Sequence, residues 1–443
     1  MPATIIRNVQ LIHLETAAID STHIFINEQG FIEKISPVLP DDFESYHIIE
    51  GNNRFVLPGL INLHAHLFGS GNALSVPSNP HLQALFFRLI NTQLGKKWLR
   101  SIMRKNAQTE LQTGVTTIRV VGEGFYQDIL LRQQINQGEI IGPTLKVAGP
   151  MLSAKDGHGV PFVAIESTSA SDYIQNSQQN IEGGVDWIKI CITGGVTDAK
   201  AIGQAGQVQL SLEEVEAVCQ EAHKHGILVA AHAESTKGVR IALKAGVDSI
   251  EHGFTMDEEM IQLFKNNPKA YRGYSVLVPT FSPAIPFIKL SRKDLGVTEL
   301  VYQNGKAIYQ GMLESFQQAL QNNITIGIGN DASMTLVTHY DFWRELLYCQ
   351  QLGKLSNQDI LRMATSGNAH ILGIEDKYGT IAVGKIADIL LLEQNPLENL
   401  KALTSISLVI KKGIPVDKTP FHRLKKVDRL LEKMDSTASF DKI

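Results

Sequence analysis

Hydrophobic and polar positions follow three successive patterns along this chain. Over the first fifty-odd residues, short alternating runs ("ATIIRNVQLIHL", "HIFINEQG", "FIEKISP", "RFVLPG") are separated by Gly, Asn and Asp, which predicts a small β unit. The pattern then changes. Short β-branched or apolar runs at 59–66, 115–121, 145–149, 186–192, 227–232, 247–252, 276–281 and 324–331 alternate with longer stretches of helical periodicity. Strand–helix alternation of this length predicts a parallel sheet in an α/β protein. Eight such units predict a closed (β/α)8, TIM-like barrel.

Among the intervening helices, 211–225 has the clearest ends. Ser211 is followed three residues on by Glu214, a capping box, and Gly226 stands just past the last turn. Residues 101–113 before Gly114 and 235–245 before Gly246 read as further helices. After about residue 375 the β character returns in "YGTIAVGKIADILLLEQNP" and "LVIKKGIPV". Pairing with the N-terminal strands predicts a small β-sandwich built from both chain ends. The predicted division is 1–57 and 375–417 for the two parts of that domain, 58–374 for the barrel, and 418–443 for a C-terminal helix and tail. In the last segment Phe421, Leu424, Val427, Leu430 and Leu431 recur at helical spacing.

Composition narrows the functional classes. With 443 residues, 43% hydrophobic and 19% charged, the chain suits one large core plus an appendage. A formal net charge of −4 provides no basic footprint for nucleic acid or an anionic membrane. No run approaches the roughly 20 apolar residues of a bilayer span. The start "MPATIIRNVQLIHLET" lacks the basic start and long apolar segment of a secretion signal. Cys191, Cys219 and Cys349 are odd in number and far apart, which argues against a disulfide framework and for a reducing, cytoplasmic location.

Several strand-like runs end in a side chain that binds metal or moves a proton. The first, in "LPGLINLHAHLFGSG", ends in His64 and His66, which as i and i+2 residues face one side of a strand. The fourth carries Lys189, the fifth ends in His232, the sixth in His252 and the eighth in Asp331. In a barrel these ends meet on one rim, where barrel enzymes place their chemistry. A lone buried histidine is usually just a hydrogen-bonded core residue, and His-X-His alone arises by chance. Five separate apolar runs ending this way are harder to explain as packing. Imidazoles with a carboxylate suit a divalent ion such as zinc. A charged Lys189 among them would repel that ion, so a neutral or modified lysine is expected.

With these residues in view, the sequence resembles the amidohydrolase superfamily of metal-dependent hydrolases. "VLPGLINLHAH", "TGVTTIR", "GPTLKVAGPMLSAKDGHG", "DWIKICITGGVT", "VAAHAES", "AGVDSIEHG" and "IGIGNDAS" occur in the family's order across nearly the whole chain. Within the superfamily it is most similar to the imidazolonepropionase-like branch that includes Xaa-Pro and Xaa-Arg dipeptidase-like enzymes. The resemblance implies two divalent metal ions, zinc by preference. His64, His66 and Asp331 would hold the more buried ion and His232 and His252 the second. Lys189, carboxylated by CO2 to a carbamate, would bridge both. It further implies hydrolysis of an amide C–N bond in a small-molecule substrate such as a dipeptide or N-acyl amino acid. A metal-bridging hydroxide would attack, Asp331 would act as general base and acid, and His158 in "DGHGV" would contact the substrate carbonyl. Asn62 and Val120 depart from the family pattern, which often has Asp at both positions. Neither position is a metal ligand in the family.

Other readings stay open. A mononuclear-metal deaminase or cyclic imidazolone-type hydrolase would use the same barrel. Many deaminases place a glutamate a full turn beyond the fifth-strand histidine, and Glu234 follows His232 by only two residues. An esterase, lactonase or organophosphate hydrolase would share the centre. A non-catalytic assembly protein would be expected to lack several of the ligands. Tyr271 and Arg272 are candidates for a substrate carboxylate or for a solvated turn. His339 and Glu345 are expected to shape the pocket or cap a helix. Cys191 reads as a packed thiol. The loop 68–80 is expected to cover the site. Relatives often form homo-oligomers, for which the terminal helix is a candidate contact.

Overall fold

We describe residues 2–72 and 79–436 in a computed structural model. Residues 73–78 of the loop 68–80, and the tail from 437 on, lie outside the described residues. Seven of the eight strand-like runs form strands: Leu60–Ala65, Val115–Val120, Thr144–Val147, Trp187–Cys191, Leu228–Ala233, Ser249–His252 and Val276–Val278. The first three make a three-stranded sheet. The other four join the short strands Met151–Ala154 and Ala164–Ser167 in a six-stranded sheet. Every pairing in both sheets is parallel. Most of these strands are buried along their whole length, as parallel strands covered on both faces are.

The eighth run, 324–331, forms no regular strand. Backbone bonds tie it to both sheets: Gly327 N–H donates to the Leu277 carbonyl at 2.8 Å and Leu277 N–H to the Thr325 carbonyl at 3.0 Å, while Leu63 N–H donates to the Ile328 carbonyl at 3.0 Å and Asp331 N–H to the His64 carbonyl at 2.8 Å. Its backbone runs close against the first strand at Gly329. A Cβ on Gly329 would sit 2.5 Å from the backbone nitrogen of His64. Asp331 adopts a left-handed conformation at φ 57°. At the other seam, Asp186 N–H donates to the Val147 carbonyl at 2.8 Å.

Strands from both chain ends meet in one sheet, as expected. Among the described residues, Thr4–Ile12, Ile19–Ile26, Ile32–Ser36, His47–Pro58, Ile389–Leu392, Ile406–Lys411 and Ile414–Pro415 form a single seven-stranded sheet. The cause is His47–Pro58, which pairs parallel with Thr4–Ile12 on one side and antiparallel with Ile389–Leu392 on the other. The two ends therefore share a central strand, and one small core takes in both Ile32 and Ile410 from opposite sides of that strand. Alternation then divides the faces: Ile389 and Leu391 enter the small core, Leu390 and Leu392 the main one.

Helix ends follow the local signals. Leu212–Lys224 has the Ser211–Glu214 capping box, and Gly226 supplies the positive φ (72°) past its end. The helix expected at 101–113 extends back to Gln93, capped by Thr92. The terminal helix, Lys425–Ser436, begins later than its apolar spacing suggests. Pro420 disfavours helical backbone before it, and Phe421 instead stacks on Tyr340 with ring centroids 5.6 Å apart. No helix among the described residues is long and apolar enough to cross a membrane.

Candidate metal centre

The C-terminal ends of the parallel strands bring the singled-out side chains together. Oδ1 of Asp331 lies 3.4 Å from Nε2 of both His64 and His66. Ligands about 2.1 Å from a tetrahedral cation stand roughly 3.4 Å from one another, so these distances are those of one face of such a site. His232, Glu234 and His252 form a second group whose ligand atoms all lie within 4.8 Å of one another. The groups adjoin through His252, whose ring centroid is 5.2 Å from His64 and 4.5 Å from His232.

Neighbouring groups fix the imidazoles. His66 Nδ1–H donates to the Gly122 carbonyl at 2.8 Å, and His64 Nδ1–H donates to Glu251 Oε2 at 2.5 Å. Nδ1 of His252 bonds the Thr280 hydroxyl at 2.7 Å. In each case Nε2 is left facing the centre. Burial pushes His66 down to about 4 and takes His232 and His252 well below the usual imidazole range, so all three are neutral lone-pair donors. Burial also lowers Lys189, whose neighbours Ile188 and Ile190 point the other way into the main core.

Four buried polar atoms here have no hydrogen-bond partner: Lys189 Nζ, His232 Nε2, Glu234 Oε2 and Asp331 Oδ1. Buried polar atoms are seldom left unpaired. Lone pairs converging without a proton between them fit a cation. The backbone carries strain at the same place, with positive φ at His252 (68°), Thr280 (52°) and Asp331 (57°). Each such residue costs of order 1–3 kcal/mol, and such strain gathers at functional sites.

Glu251 organises the floor of the centre. Its carboxylate accepts from His64, from Arg119 Nη2 at 2.7 Å and from the Ser249 hydroxyl at 2.5 Å. Burial favours its neutral form, but the Arg119 guanidinium holds it well below the usual range. Arg119 also donates to the Leu63 carbonyl and lies over the Trp187 ring at 4.6 Å. His158 sits above the second group, stacked on His232 with centroids 4.3 Å apart. Its Nδ1 bonds Asp198 Oδ2 at 2.5 Å. Burial opposes its charge, but Asp198 outweighs this and raises it.

Residues 55–416 match the family model for amidohydrolases. The chain belongs to the amidohydrolase family. A solved structure of a candidate prolidase from Bifidobacterium longum is 36% identical, covering 98% of this chain and 99% of that one, with a TM-score of 0.86. A Xaa-Pro dipeptidase structure with bound methionine in its active site is 27% identical over 94% of this chain and all of the other, at TM-score 0.76. Ochratoxinase from Aspergillus niger is 25% identical over 316 residues, 66% of this chain; the match spans 62% of the length of that relative.

In this amidohydrolase the two departures from the family pattern have local explanations. Val120 packs in the main core, facing away from Arg119 and the centre. Asn62 donates to Asn330 Oδ1 at 2.8 Å and to Glu110 Oε2 at 3.3 Å. Its own oxygen accepts from the backbone of His64 and Asn330. An aspartate there would set a second carboxylate against Glu110, which is buried and also bonds His339 at 2.8 Å. Asn62→Asp is therefore expected to destabilise the protein by about 2–3 kcal/mol. Thermal melting of the two metal-free proteins checks this; equal melting temperatures would show that the added carboxylate is not felt at Glu110.

Other candidates lie elsewhere. Arg272 donates to the carbonyls of His370 and Ile371, and Tyr271 packs on His223. Glu345 accepts from the backbone of Phe281 and Ser282, next to Thr280, and so supports the residue that orients His252. Glu251 and Asp198 were missed from sequence. A charged residue inside the apolar "VDSIEH" run was a usable signal for Glu251. Nothing local distinguished Asp198 in its loop.

Proposed function

We propose that the protein is a metal-dependent hydrolase that cleaves the C–N bond of a dipeptide or N-acyl amino acid. The observation that carries this reading is the Asp331 carboxylate 3.4 Å from two imidazole nitrogens, beside the unpartnered Lys189 and His232. The names of the prolidase, dipeptidase and ochratoxinase relatives support the substrate class. The two parallel sheets, tied to the run 324–331 and to each other by backbone bonds, support a closed (β/α)8 barrel over 58–374. The single small sheet supports a second domain drawn from 1–57 and 375–417. Three free, buried cysteines support a reducing compartment.

His64, His66 and Asp331 would hold one divalent ion, and His232 and His252 a second. Lys189 as its carbamate, an anion made from a neutral amine and CO2, would serve both. The donor set suits zinc. When bound, such ions polarise a carbonyl and acidify water. Asp331 takes up the water proton on its carboxylate and returns it to the leaving nitrogen. His158, oriented by Asp198, donates from its other ring nitrogen to the substrate carbonyl oxygen and stabilises the charge that grows there. Glu251 and Gly122 keep the His64 and His66 rings aimed.

The test is a hydrolysis screen of zinc-loaded protein over N-acyl amino acids and Xaa-Pro, Xaa-Arg and apolar dipeptides. Turnover of at least one class is expected, lost after chelation and restored by zinc. Hydrolysis of esters or lactones with no amide turnover would overturn the C–N assignment.

A further inference from the structure

The second group of potential ligands contains a carboxylate that the carbamate scheme leaves unused. Glu234 lies just past the end of the strand Leu228–Ala233 and follows His232 by two residues, repeating the spacing of His64 and His66. It is only 8% exposed, and its Oε2 has no hydrogen-bond partner. Oε2 stands 3.8 Å from Nε2 of His232, which is also unpartnered. That is too far for a hydrogen bond. Two buried, unpartnered ligand atoms thus face each other across a gap too wide for a hydrogen bond, an arrangement that a cation would complete. The gap is slightly wider than the roughly 3.4 Å edge of a tetrahedral zinc site, and His252 lies within the same 4.8 Å cluster.

The position is also held firmly. Glu234 N–H donates to the Thr193 hydroxyl at 3.0 Å. On the other side, a Cβ on Gly206 would lie 2.2 Å from the Glu234 carbonyl oxygen, so that loop presses directly on this residue. A glutamate left to solvate itself would not be clamped from both sides beside two imidazoles.

We propose that Glu234 is a protein ligand of the second metal ion, completing a two-histidine, one-carboxylate set with His232 and His252. This rests on the metal-centre reading above and adds a ligand to it. Such a set needs no CO2, so the second ion is retained, more weakly, when Lys189 carries no carbamate.

The test titrates the metal-free, full-length protein with Zn2+ by calorimetry and counts bound metal by mass spectrometry. Wild type is expected to bind two ions. Glu234→Gln is expected to keep the first and to bind the second about ten- to a hundredfold more weakly. Glu234→Asp, which keeps a shorter carboxylate, should fall between the two. Lys189→Met should retain a weakened second ion that the Lys189→Met/Glu234→Gln double variant loses. Circular dichroism and melting of the metal-free variants verify folding. With Co2+ in place of zinc, the visible spectrum of the second equivalent alone should change in Glu234→Gln. Two-ion binding of unchanged affinity in Glu234→Gln would overturn the assignment while leaving the hydrolase reading intact; so would an altered KM with unchanged metal content, which would make Glu234 a substrate contact. A wild-type protein that binds no metal would overturn both.

Discussion

Asp331→Asn is expected to lower kcat about a thousand- to ten-thousandfold while the protein stays folded. The substitution is isosteric, and asparagine tolerates the left-handed backbone that Asp331 adopts at φ 57°. The bond from residue 331 N–H to the His64 carbonyl, 2.8 Å, does not involve the side chain. The chemistry is lost. The amide carries no negative charge to face His64 and His66, and it cannot take and return a proton, a role that contributes about 10²–10⁴-fold by itself. Kinetics on zinc-loaded protein, with melting and metal content measured alongside, checks this. Full activity in the variant would remove Asp331 from its role as proton carrier.

The largest effect on stability is expected at Glu251, which touches no substrate in this scheme. Its carboxylate is fully buried, as is the Arg119 it neutralises. Glu251→Gln would leave the guanidinium without a counter-charge in the interior, a change that costs about 3–5 kcal/mol in comparable buried pairs. The same substitution takes from His64 the carboxylate that fixes its ring, which weakens metal binding about ten- to a hundredfold when such supporting groups are lost. A lower melting temperature of the metal-free variant and a weaker zinc affinity are therefore expected together. If both matched the wild type, the network around Glu251 would be incidental packing. Asp331→Asn should move activity with little change in melting, so the two variants separate chemistry from scaffold.

Much of the architecture was legible because its signals are local. The capping box at Ser211 and Glu214, the glycine at 226 and the seven regular parallel strands all follow from residues within one turn or one strand of each other. The particular pairing that joins the two chain ends was not legible, for a nonlocal reason. His47–Pro58 is an ordinary strand in sequence, and nothing within it says that both of its edges will be paired. The irregular run 324–331 is similar. Its apolar pattern matches a strand, but its closeness to His64 and the turn at Asp331 depend on a segment some 260 residues away in the chain.

The site divides along the same line. Sequence by itself determined which side chains stand at the ends of apolar strands, because strand periodicity and the order of the family's motifs are written in consecutive residues. That was enough to single out His64, His66, Lys189, His232, His252 and Asp331. Only the tertiary structure decided that Glu251 anchors both Arg119 and His64, that Asp198 holds His158 over His232, and that Glu234 turns an unpaired carboxylate toward two imidazoles. Each of those facts is a contact between strands or loops, set by how the sheets and the run 324–331 come together, and burial then converts it into chemistry by leaving the groups no water to pair with.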